Sequence, residues 1–149
     1  MQTQQLLNRI TTLLKVNASD LMMDAANPQE AVARWRAEME RGLEQAKDAV
    51  AAAQVQERRL EQQLKEAQIS MAKWDAQVDA ALQSGDEEQA RVALRRKKTY
   101  ECVAQELQQK LDHHRQVVVE MRASVKALQD KIQDLGGLAR PPRSGSKTP

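Results

Sequence analysis

Val78-Asp79-Ala80-Ala81-Leu82-Gln83-Ser84-Gly85-Asp86-Glu87-Glu88-Gln89-Ala90-Arg91-Val92-Ala93 carries one helical repeat into a turn and out again. Gly85 tolerates positive φ, and Asp86 suits an N-cap with Glu87 and Glu88 in the helical turn that follows. Ser84, Gly85 and Asp86 are therefore read as a hairpin turn. Outward from it, seam residues recur alternately three and four apart on both sides. The preceding arm offers Leu43, Ala46, Val50, Ala53, Glu57, Leu60, Leu64, Ala67, Met71, Trp74 and Val78. The following arm offers Ala93, Lys97, Tyr100, Ala104, Leu107, Leu111, His114, Val118, Met121, Val125 and Leu128. Folding at Gly85 sets Leu64 opposite Leu107, Leu60 opposite Leu111 and Leu43 opposite Leu128. The same register sets Glu57 against His114 and Trp74 against Lys97, so these four residues are expected to specify the pairing. The expected class is all-α: a long antiparallel coiled-coil helical hairpin preceded by a short N-terminal amphipathic helix.

Composition agrees with long helices rather than a compact core. Of 149 residues, 41% are hydrophobic, but only two Trp, one Tyr and no Phe are present, while 30% are charged. A formal net charge of +2 is too small to imply nucleic acid, and no direct nucleic-acid partner is expected. The densest basic run, Arg95-Arg96-Lys97-Lys98, wraps around its helix beside Glu101 and reads as a solvated face. Cys102 stands alone, which fits a reducing compartment. No secretory signal or membrane-spanning run is evident, so a cytoplasmic location is expected.

Three pieces and a tail follow. Residues 1–26 hold the amphipathic segment. Residues 27–135 form the hairpin, with arm one at 27–83, the turn at 84–86 and arm two at 87–135. Asn27-Pro28-Gln29-Glu30 reads as the start of the first arm, with Asn27 as cap, Pro28 in the first position and Glu30 reaching back. Gly136-Gly137 is expected to stop the second arm, leaving residues 136–149 as a disordered, basic, Pro-rich tail.

The N-terminal segment is the leading functional candidate. Leu6, Leu7, Ile10, Leu13, Leu14 and Leu21 form an apolar stripe at helical spacing, with Arg9 and Lys15 beside it. Such a helix can lie in a bilayer interface, where each basic residue adds roughly 1 kcal/mol near anionic lipid. It can equally pack on the hairpin or on another subunit, and periodicity does not choose between these. Trp35 and Trp74 are candidate partner anchors; for Trp74 the seam position is the stronger reading, with its ring over the Lys97 stem. His113 and His114 point about 100° apart on a helix and do not make a metal site. The sequence has no Gly-rich phosphate loop, nucleophile elbow or paired-carboxylate cleft. No enzyme, catalytic residue, metal or cofactor is expected.

Lys73-Trp74-Asp75-Ala76-Gln77-Val78-Asp79-Ala80-Ala81-Leu82, then Gly85-Asp86-Glu87, then Ala90-Arg91-Val92-Ala93-Leu94 with Lys97 resembles the signature of one family. That family is phage shock protein A and the vesicle-inducing plastid protein, the bacterial relatives of ESCRT-III. Leu13-Leu14, Asn27-Pro28-Gln29-Glu30 and Glu38-Met39-Glu40 fit the same pattern upstream. The resemblance implies a non-enzymatic protein peripheral to the inner face of the cell membrane. Its N-terminal helix would bind an anionic membrane surface, and its hairpins would assemble to maintain or remodel membrane under stress. Family members continue into further helices after the hairpin, so this chain is expected to be a short form that assembles with itself or a full-length paralogue. The resemblance also implies an alternative, a regulatory adapter that binds and inhibits an AAA+ transcriptional activator.

Overall fold

A computed structural model describes residues 2–139, and these are helical with short breaks and no strand. The order is α1 (Gln2–Lys15), α2 (Ala18–Asp24), α3 (Pro28–Gln83) and α4 (Glu87–Ala139). Helices α3 and α4 pack against each other as a hairpin behind the short N-terminal helix. Asn27 accepts a hydrogen bond from the Glu30 N–H at 3.3 Å, which occupies one of the free donors where α3 begins at Pro28.

The turn between the arms is built from local chemistry. Gly85 has φ +76°, and the Asp86 N–H donates to the Ala81 carbonyl at 2.9 Å, closing the end of α3. Asp86 then caps α4 by accepting from the Gln89 N–H at 3.1 Å. A Cβ at position 85 would meet nothing within 4 Å, so any cost of substitution is conformational. Gly85→Ala is expected to destabilise the chain by about 1 kcal/mol, read as a lower thermal midpoint with unchanged helicity.

The described residues divide into two sections, residues 52–118, which hold the turn, and residues 2–51 with 119–139, which hold α1 and α2. In the turn section, Leu60, Leu64, Ala67, Ala104 and Leu111 make a buried cluster, flanked by Met71 and Leu107. Ala81, Ala90 and Ala93 are also buried, but small side chains contribute little area. In the terminal section, Ile10, Leu13, Val32, Met39, Ala46, Leu128, Ile132 and Leu135 form a second cluster, which draws on α1, α3 and α4.

Two expectations about element ends require correction. The N-terminal segment is two helices, because the Asn17 side chain accepts from the Ser19 N–H at 2.9 Å and starts α2 anew. Helix α4 also passes through Gly136 and Gly137 to Ala139 rather than ending at Leu135. Gly136 is buried against Arg36, whose guanidinium would lie 3.3 Å from an added Cβ, so packing carries the helix past a weak former. The part of the expected tail at residues 140–149 lies outside the described residues.

Candidate functional site

Helix α1 forms because its leucines and isoleucine recur on one side, between Gln4, Asn8, Thr11 and Thr12 on the others. Ile10 and Leu13, at the centre of the stripe, are 1% and 5% exposed within the terminal cluster. Leu6 and Leu14 are half-buried against the same cluster. Leu7 and Leu21 are half-buried, while Arg9 and Lys15 are exposed. The part of the expected stripe that lies on α1 is thus continuous, with Leu21 set apart on α2, and its centre is covered by the hairpin arms.

The seat for α1 is shaped by Gly42, a glycine inside α3. A Cβ added at Gly42 would sit 3.1 Å from Leu13 Cδ1 and 3.8 Å from Leu128 Cδ2. Glycine inside a helix costs about 1 kcal/mol relative to alanine, and here it lets α1 approach α3 closely. At the rim, Arg9 donates to Gln45 Oε1 at 3.1 Å and to Glu38 Oε2 at 3.3 Å. Glu38 also accepts from Arg41 at 2.6 Å. Exposed pairs of this kind contribute about 0.2–1 kcal/mol each, so the apolar contacts hold α1.

The expected register residues lie on opposing arms but take other partners. Glu57 pairs with Arg115 at 3.2 Å rather than with His114, and Glu61 joins the same guanidinium at 3.0 Å. The hydrogen bond that Arg115 donates to Glu61, with the one to Glu57 adding to it, raises the Arg115 pKa above its ordinary value. His114 Nε2 lies 2.6 Å from the Ala53 carbonyl oxygen; a carbonyl only accepts, so this nitrogen carries the proton. Near the turn, Arg96 rather than Lys97 sits over the Trp74 ring, 5.9 Å from its centre. Lys97 instead donates to Asp75 at 2.8 Å, and that bond, together with the carboxylate's charge, raises the Lys97 pKa. The physical reason is reach. A heptad position fixes which Cβ atoms oppose, whereas long charged side chains bend to flanking partners that stay in water.

Trp35 packs against the terminal cluster and is half-buried, with its Nε1 enclosed and without a hydrogen-bond partner. Trp74 is half-buried beside a 290 Å³ hollow lined by Gln77, Ser84 and Asp86. Among the described residues no helix is long and apolar enough to cross a membrane, and no three His, Cys, Asp or Glu side chains converge.

Comparison with known proteins places this arrangement. Residues 5–136 match the model of the PspA/IM30 family. The chain is 34% identical to the membrane-associated protein Vipp1 of Nostoc punctiforme over 129 residues, 87% of this chain and 50% of that protein. It is 31% identical to the Synechocystis protein of the same name, covering 87% of this chain and 48% of the relative. Against a phage shock protein A homolog of Bacillus subtilis the identity is 29%, covering 89% of this chain and 57% of the relative. The chain therefore spans about half the length of the curated relatives it matches. With the match running from within α1 to Gly136 in α4, the chain belongs to the PspA/IM30 family.

Proposed function

We propose that this chain is a non-enzymatic, membrane-peripheral protein. It binds the anionic cytoplasmic face of the cell membrane through α1 and helps maintain or remodel that membrane under stress. The observation that carries the reading is the unbroken apolar stripe of α1, from Leu6 and Leu7 through Ile10 to Leu13 and Leu14, with Arg9 and Lys15 outside it. A helix of this kind buries its apolar side at the boundary between headgroups and acyl chains while its basic residues meet lipid phosphates. Apolar insertion supplies most of the affinity, because two cations add only about 1 kcal/mol each. The names of the relatives, membrane-associated protein and phage shock protein A homolog, support the same reading. The hairpin would then pack beside copies of itself or a longer paralogue.

Flotation with vesicles containing phosphatidylglycerol tests the contact. Leu7→Glu/Leu14→Glu charges the half-buried edge of the stripe and leaves Ile10 and Leu13 in place. The double variant is expected to lose about a hundredfold or more in partition, from two apolar insertions at about 1.5–3 kcal/mol each. Equal flotation of variant and wild type would discard α1 as the membrane element.

A further inference from the structure

We propose that α1 is a reversible latch whose seat on the hairpin, built around Gly42, competes with the bilayer for one apolar stripe. This rests on the membrane contact proposed above and adds what controls it. Ile10 and Leu13 are enclosed by Met39, Ala46 and Leu128, and a helix inserted in an interface must bury those same side chains in lipid. The two placements exclude each other. Closing the latch removes the binding-competent form, and apparent affinity falls by the fraction of molecules that are closed.

Three features suit α1 to release. Its rim is electrostatic and exposed: Arg9 on Glu38 and Gln45 is a contact that an anionic lipid headgroup can replace with its own phosphate. Departure of Arg9 leaves Glu38 paired, since Arg41 holds that carboxylate at 2.6 Å. Finally, α1 is separated from α2 by the non-helical Val16-Asn17, and Asn17 caps α2 from its own side chain. Helix α2 can therefore stay capped while α1 swings at this joint. Gly42 is the contact that fixes how closely α1 sits: a Cβ there would already stand 3.1 Å from Leu13 Cδ1, and a longer side chain needs the space that Leu13 fills.

The test uses the full chain and flotation with phosphatidylglycerol-containing vesicles, set against phosphatidylcholine alone. Gly42→Leu leaves every residue of α1 unchanged and replaces a poor helix former with a good one, so helicity should hold. Its partition onto the anionic vesicles is expected to rise about tenfold or more as the seat is blocked. Conversely, Leu13→Cys/Gly42→Cys, in a Cys102→Ser background, should close a disulfide that pins α1. The oxidised form should stay with the soluble fraction, and reduction should restore flotation. Equal flotation of wild type, Gly42→Leu and both redox forms would overturn the latch but keep the membrane contact. Failure of every form to float would overturn the membrane contact and the latch with it.

Discussion

Leu128→Ala is expected to destabilise the folded chain by about 2–5 kcal/mol. Leu128 is 0% exposed and belongs to the cluster that joins α1, α3 and α4. Its Cδ2 would lie 3.8 Å from a Cβ at Gly42, which places it beneath the α1 seat as well as in the hairpin seam. Truncation removes the transfer energy of three carbons and leaves a hollow that long, paired helices fill only partly. Urea unfolding followed by helical circular dichroism should show a lower midpoint with little change in slope. Leu82→Ala provides the contrast, because Leu82 is 60% exposed and its loss should move stability by no more than about 0.5 kcal/mol. A Leu128→Ala loss no larger than that of Leu82→Ala would contradict the cluster.

Ile10→Glu is expected to expel α1 from its seat while leaving the paired arms helical. The side chains that cluster with Ile10 are apolar, so an ionised carboxylate at that position would be buried among them. That state costs several kcal/mol, more than the docking of one short helix returns, and the cheaper response is to move the helix into water. Limited proteolysis should cut within residues 2–15 many times faster than in wild type, while cleavage within residues 52–118 stays slow. This variant also separates release from insertion. Both it and Gly42→Leu free α1, yet only Ile10→Glu carries a charge in the stripe, so it should bind anionic vesicles more weakly than wild type. Protection of residues 2–15 equal to wild type would mean that Ile10 does not hold the helix down.

The register residues mark where reading by heptads ends. Leu60, Leu64, Leu107 and Leu111 fall in one cluster because apolar side chains at seam positions have nowhere else to go. Glu57 and Arg115 could not be paired in the same way. A seam position defines an opposing backbone site, while a guanidinium several bonds from its backbone chooses among carboxylates by geometry and solvent. His114 met a backbone carbonyl, a partner that no residue-to-residue pattern encodes. Asp75 and Arg96 were passed over for the same reason: each flanks the seam and reaches across it.

Helix, turn and antiparallel pairing were determined by the sequence alone. Their causes are local or periodic: the Gly85 conformation, the Asn27 and Asp86 caps, and a repeat that continues on both sides of the turn. What only the tertiary structure decided is which surface covers the α1 stripe in the described state, and how far α4 runs beyond Leu135. Apolar burial is non-directional, so a stripe of leucines has the same period whether lipid or protein lies against it. The space beside Gly42 and the guanidinium beside Gly136 come from residues distant in the chain, and only three-dimensional packing brings them there.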